Sequence, residues 1–174
     1  MRLVYGLGRS GLGVLRFLRK RGLPARFYDD RPREEEVREA LAGVPLDHPH
    51  LKRLAARGAK VLGEAELAYR LSPTPIVGIT GTAGKTSTTL FTAHLLRAHG
   101  LRAREGGNVD PPLVSVVDEA EVAVAELSSF QLETTSSLNA TAATVLNISE
   151  DHMDRYDGLA AYAVYLVTPE NAGL

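Results

Sequence analysis

The chain has 174 residues, 44% of them apolar, and 20 Lys and Arg balance 21 Asp and Glu to a net charge of -1. That is enough apolar material for one or two cored domains, and without a basic excess nucleic acid is not expected as a partner. There is no cysteine, which excludes disulfides, thiolate catalysis and Cys-ligated zinc.

In chain order, Arg2 to Tyr5 reads as a strand running into Gly6-Leu-Gly-Arg-Ser-Gly11, a G-x-G-x-x-G turn. The chain therefore opens on a strand rather than a signal peptide, and no apolar run approaches the ~20 residues of a membrane span. A cytoplasmic, monomeric protein with no membrane partner is expected. Leu12, Leu15 and Leu18 recur at helical spacing up to Gly22, and Ala25 to Tyr28 is a second strand ending on Asp29, Asp30 and Arg31. An acid about 20 residues past the glycines is where a ribose-binding carboxylate belongs. The opening thus reads as a Rossmann-like βαβ unit with a nucleotide on its helix N-terminus, although a glycine turn that only permits close packing would use the same residues.

Glu34 to Leu41 is expected to be a charged surface helix. The third strand of a doubly wound domain should follow, yet Gly43 to His50 has two prolines and no apolar run longer than two. A helix over His50 to Arg57, a strand over Ala59 to Leu62 and a helix over Glu64 to Leu71 come next. Ser72-Pro-Thr-Pro75 is the best linker, and it divides an N-terminal domain, 1–74, from a second domain beginning at 75.

The second domain starts with a short buried strand, Ile76 to Ile79. It leads to Gly81-Thr-Ala-Gly-Lys-Thr-Ser87, and a helix is expected from Lys85 to about His99, with Gly100 as its stop. Strand, glycine turn and helix in that order make a phosphate-binding loop. Glycines let backbone N–H groups converge on phosphate oxygens, the lysine reaches the outer phosphates, and the following hydroxyl can ligate Mg²⁺. A strict G-x-x-x-x-G-K-[ST] pattern would need glycine where Ile79 stands. Leu101 to Arg104 reads as a strand edge before Gly106-Gly-Asn108, and Val122 to Glu126 and Ala142 to Leu146 read as buried strands. Glu126 and His152 fall at or beyond the carboxyl ends of strands, where open α/β sheets gather their ligands.

Four blocks in this order, G-T-A-G-K-T at 81–86, G-G-N at 106–108, E-L-S-S-F-Q-L-E-T-T at 126–135 and N-I-S-E-D-H-M-D-R-Y at 147–156, resemble the Mur ligases of peptidoglycan synthesis. The offset glycine spacing is the one that family uses. The third and fourth blocks look most like its D-glutamate-adding branch. The resemblance implies an α/β fold, with the Rossmann-like uridine-nucleotide domain followed by part of a mostly parallel central ATP-binding domain. It implies ATP, UDP-N-acetylmuramoyl-L-alanine and D-glutamate as substrates, joined through an acyl phosphate, and two Mg²⁺ ions.

Residue by residue, it implies that Gly81, Thr82, Ala83, Gly84, Lys85, Thr86 and Ser87 hold ATP. Thr86, Glu126 and His152 would ligate metal, and Lys85, Glu126 and His152 would serve catalysis. Gly8, Ser10, Asp29, Arg31, Asn108 and Ser128 would contact the sugar nucleotide. The family also carries a carbamylated lysine after the last block, whereas the last lysine here is Lys85. Family members run on beyond the position of Leu174 into a C-terminal amino-acid-binding domain, so this span is expected to bind the uridine substrate without completing ligation. A sister ligase such as folylpolyglutamate synthase, an NAD-binding oxidoreductase module and a non-catalytic remnant are the competing readings.

Overall fold

The computed structural model of the chain describes residues 2–5, 9–28, 49–58 and 61–167, and it divides into two compact units, residues 1–62 and 63–174. In the first unit β1 (Arg2–Tyr5) and β2 (Ala25–Tyr28) lie parallel, with Val4 opposite Phe27. Parallel neighbours require a crossover, and α1 (Arg9–Lys20) supplies it. The helix starts three residues before Leu12, so Ser10 lies exposed in its first turn instead of in a glycine loop. Its buried stripe is Gly13, Val14, Phe17 and Leu18, while Leu12 is 44% exposed. Positions 14, 17 and 18 form an i, i+3, i+4 set, and Leu12 and Leu15 belong to a neighbouring stripe. A helix α2 (Pro49–Ala55) completes what is described of this unit. The expected helix at 34–41, the stretch 43–48 and the site candidates Gly8, Asp29 and Arg31 lie outside the described residues. Val61 and Leu62 are described and are not strand.

The second unit is built on four parallel strands, β3 (Ile76–Thr80), β4 (Ala103–Gly107), β5 (Val122–Glu126) and β6 (Ala142–Val145), in the order β4-β5-β3-β6. Strands β3 and β5 sit inside this sheet and are apolar along their length, as a parallel sheet covered on both faces demands. Helix α4 (Lys85–Ala98) lies over one face, where Ala93 packs on Ile79 and Val124 with Val77, Leu96 and Leu146 around them. On the other face is α5 (Leu113–Val116), an element the sequence did not announce. A Cβ at Gly106 would stand 2.8 Å from Val116. Two further helices, α6 (Ser129–Leu132) and α7 (Leu159–Val167), were also not anticipated. Strand β6 was expected to be buried, but Ala142, Ala143 and Thr144 are exposed. Among the described residues it is an edge strand, with β3 as its only sheet neighbour.

The division between the units falls at Leu62 and Gly63, not at the proline linker, because α3 (Glu64–Leu71) is fastened into the second unit. Glu64 accepts the Val114 N–H at 2.6 Å, at the start of α5. Glu66, two residues further along and fully buried, accepts the N–H groups of Ser136, Ser137 and Leu138 at 3.0, 3.1 and 3.2 Å. Proline content marks where a helix stops, but these two carboxylates decide which core the helix joins.

The second oxygen of Glu64 is buried without a partner. Burial pushes the carboxyl up from 4.5 to about 7, outweighing the Val114 hydrogen bond that lowers it. An acid with a raised folded-state value favours folding fully below its unfolded value, and that contribution is lost as pH rises through 4.5 to about 7. Glu64→Gln keeps the acceptor for Val114 and cannot ionise. It should stabilise the chain by about 3 kcal/mol above neutral pH and by almost nothing near pH 4. Thermal unfolding at the two pH values checks this, and an equal shift at both would refute it.

Candidate functional site

The carboxyl ends of β5, β3 and β6 lie side by side, since Ile79 is opposite Glu126 and Thr144 in the two ladders. Three chain segments therefore leave the sheet at one edge. The loop Gly81 to Gly84 leaves β3, Leu127 to Ser128 leaves β5, and Leu146 to His152 leaves β6.

Hydrogen bonds lock the first and third segments together. Thr82 N–H donates to the Asn147 carbonyl at 3.0 Å. The Asn147 side chain accepts from Ala83 N–H and donates to Ala83 O, both at 2.9 Å, and Ser149 N–H donates to the Thr82 hydroxyl at 3.0 Å. Gly81 has φ +130, and a Cβ there would meet the Asn147 carbonyl at 2.9 Å, so glycine is required by both backbone angle and space. Gly78 lies within β3, which leaves Gly81 and Gly84 as the loop's own glycines. This accounts for the irregular spacing, since a glycine at position 79 would fall in the strand and contribute nothing to the loop.

Gly84 caps α4 in the left-handed conformation, φ 84, with no side chain capping the first turn. The leading amides of a fourteen-residue helix, followed by exposed Thr86 and Ser87, thus point out of the loop. This is an anion-binding arrangement. The Lys85 ammonium folds back on the loop and donates to Gly81 O at 2.7 Å and Thr82 O at 2.8 Å.

Glu126 closes β5 and is 2% exposed. Side chains alternate along a strand, so Glu126 shares the α4 face with Val124. Its Oε1 accepts from Asn108 Nδ2 at 2.8 Å, and the Asn108 N–H donates to its carbonyl at 2.8 Å. Gly107 permits this approach: a Cβ would stand 2.4 Å from the Glu126 carbonyl, at φ +110. The other carboxylate oxygen, Oε2, is buried and unpartnered. A buried carboxylate oxygen without a donor is costly unless something positive reaches it, which fits a cation. Among the described residues no group of three His, Asp or Glu assembles as a metal cage. That donor set suits Mg²⁺, which keeps several waters and takes one or two carboxylates together with substrate phosphates.

His152 follows β6 at φ 53, half exposed, with its ring 4.7 Å from that of Phe130. No hydrogen bond joins it to Glu126 or to the loop among the described residues. Ser128 has a local task as the N-cap of α6, in a reciprocal box with Gln131. Sequence reading overlooked Asn147 as a loop-holding residue, and also Glu133, Arg155 and Tyr156. For Asn147 a signal existed, a lone amide directly after an apolar strand.

An open depression of about 470 Å³, lined by Tyr69, Arg70, Thr74 and Asn139 among others, also includes Ile76 at the start of β3. It lies at the other end of that strand from the phosphate loop and has no part in the site. No helix among the described residues is long and apolar enough to cross a membrane.

Residues 79–165 match the Mur ligase middle domain, which is half of the chain. A UDP-N-acetylmuramoylalanine–D-glutamate ligase of Thermus thermophilus is 75% identical over 198 positions, covering 99% of this chain and 48% of that protein. The protein of the same name in Deinococcus radiodurans is 52% identical over 180 positions, covering 92% and 39%. The chain thus spans about half the length of the curated relatives it matches. Because 198 positions exceed the 174 residues here, at least 24 positions of the Thermus match have no counterpart in this chain. A solved UDP-N-acetylmuramate:L-alanyl-gamma-D-glutamyl-meso-diaminopimelate ligase from Neisseria meningitides superposes with a TM-score of 0.61 at 14% identity, covering 94% of this chain and 65% of that one. At that identity it speaks for the fold alone.

Proposed function

This chain belongs to the Mur ligase family, and from that premise we propose that it carries the uridine-nucleotide and phosphate-binding parts of a ligase that joins D-glutamate to UDP-N-acetylmuramoyl-L-alanine at the expense of ATP. The orphaned Oε2 of Glu126, beside a capless helix N-terminus and a phosphate loop, is the observation that carries this reading. The site is a set of donors for phosphate next to a buried acceptor for a cation. That is the equipment for phosphoryl transfer, which needs positioning and charge neutralisation more than covalent help.

In the proposed reaction the substrate carboxylate attacks the γ-phosphorus of ATP, giving an acyl phosphate and ADP. The amine of D-glutamate then attacks the acyl carbon, and phosphate leaves the tetrahedral intermediate to give the amide. The loop amides and the first turn of α4 hold the phosphates, and Lys85 leaves the carbonyls of Gly81 and Thr82 for phosphate oxygens. Glu126, the Thr86 hydroxyl and neutral His152 would hold Mg²⁺, which neutralises phosphate charge. Asn108 keeps one oxygen of Glu126 occupied and so leaves the other free for the ion. In the first unit, Gly8, Ser10, Asp29 and Arg31 are proposed for the uridine nucleotide.

Isothermal titration tests the assignment. Saturable binding of Mg·ATP and of UDP-N-acetylmuramoyl-L-alanine, without NADH binding, is the expected result. Preference for NADH would assign the first unit to an oxidoreductase module and overturn the ligase reading.

A further inference from the structure

His152 has the most demanding backbone in the site. A non-glycine residue at φ 53 is disfavoured and persists only where its surroundings hold it. Its carbonyl accepts from Arg155 N–H at 2.9 Å and from Tyr156 N–H at 3.2 Å, which closes the turn. The side chains of those two residues converge on one group. Glu133, at the end of α6 with a side chain only 6% exposed, accepts from Arg155 through both oxygens, at 3.1 and 2.5 Å, and from the Tyr156 hydroxyl at 2.7 Å.

Phe130 completes the arrangement. It is one turn before Glu133 on the same helix, and its ring lies against the imidazole at 4.7 Å and beneath the Arg155 guanidinium at 4.8 Å. A bidentate carboxylate–guanidinium pair fixes direction as well as distance, and here its carboxylate half is buried while the Arg155 side chain is 31% exposed. Tyr156 is itself buried against Tyr162 and Tyr165 of α7, so the clamp rests on a packed support. By comparison, Asp151 accepts from the His152 N–H at 3.0 Å and holds its other carboxylate oxygen 3.6 Å from the ring Nε2, but as the chain neighbour of His152 it can move with it.

We propose that Glu133 is the positioning residue for His152: by gripping Arg155 and Tyr156 it fixes the turn that presents the imidazole, and with Phe130 it sets the direction of the ring. Glu133 has no contact with substrate in this role and acts wholly through other residues. The metal half of the consequence rests on the proposed function, in which His152 is a ligand. The positioning half does not.

Two measurements on the whole 174-residue chain separate them. In the metal-free protein, the His152 ring protons should show an NMR displacement from the Phe130 ring current, and Glu133→Gln should abolish most of it. Arg155→Gln, at a more exposed site, should do the same and serves if the first variant folds poorly. In the second measurement, Mn²⁺ with a non-hydrolysable ATP analogue is titrated by electron paramagnetic resonance. Glu133→Gln should weaken Mn²⁺ about tenfold, within the range for partners that orient a ligand, and should add nothing in a His152→Ala background. A merely structural role would lower stability and leave both the ring shift and this coupling unmoved. An unchanged ring shift in both variants overturns the positioning role. A displaced ring with Mn²⁺ affinity indifferent to His152→Ala would uphold positioning and refute the metal reading instead.

Discussion

Lys85→Ala should weaken Mg·ATP binding to this chain about a thousandfold and leave its thermal stability almost unchanged. The two effects separate because the ammonium has different partners in the two states. Without nucleotide it donates to the neutral carbonyls of Gly81 and Thr82, in a half-buried loop where water can take its place at a net cost of about 1 kcal/mol or less. With nucleotide its partners are phosphate oxygens. Two charge-assisted bonds at about 2 kcal/mol each give roughly 4 kcal/mol, or a factor of about a thousand. Lys85→Arg should not restore binding, since a planar fork cannot occupy the position of a compact ammonium tucked over its own loop. Calorimetric titration of the three proteins decides the matter. Equal affinities would mean that the loop does not hold the outer phosphates.

The parts of this site that were legible in the sequence are those fixed by local chemistry. Gly81, Gly84 and Lys85 announce a loop because backbone angles and a charge are needed at fixed offsets along one turn. Glu126 announces itself because an acid terminates a run, Val122 to Ala125, that otherwise has to be buried. The parts that were not legible depend on residues distant in sequence. Whether α3 belongs with the first or the second unit is decided by Glu66 meeting Ser136 to Leu138, some seventy positions away, and a proline linker carries no information about that. The short helices α5 and α6 have too few residues for periodicity to register. Strand β6 is as apolar as an inner strand, and only the pairing order reveals it as an edge. In α1 three leucines suggested one face, but only Leu18 of them is buried, and it shares its stripe with Val14 and Phe17 while Leu12 stays exposed.

Glu66 carries the largest stability effect expected of a single side chain here. Glu66→Ala should destabilise the second unit by about 4 kcal/mol near neutral pH, because a buried carboxylate that satisfies many donors leaves all of them unpaired when it is removed. The donors are three backbone N–H groups, the hydroxyls of Ser136 and Ser137, and Arg70 Nε at 2.6 Å. Burial by itself would push this carboxyl up. The Ser137 hydroxyl, the N–H groups of Ser137 and Ser136, and Arg70 more than offset that and hold it at about 2, against an ordinary 4.5. A depressed folded-state value means that the contribution is present above 4.5 and is lost as pH falls through about 2. The gap between parent and variant in urea unfolding should therefore narrow between about pH 5 and about pH 2. Glu64, two residues earlier on the same helix, should show its titration at the neutral end with the opposite sign. The contrast follows from donor supply: Glu64 has one N–H for two oxygens, and Glu66 has a whole turn of the chain. A gap for Glu66→Ala that stayed constant with pH would show that the turn at 136–138 binds the neutral carboxyl as well as the charged one. The fastening of α3 to the unit that bears the phosphate loop would then rest on packing by Ala65 and Ala68 instead of on charge.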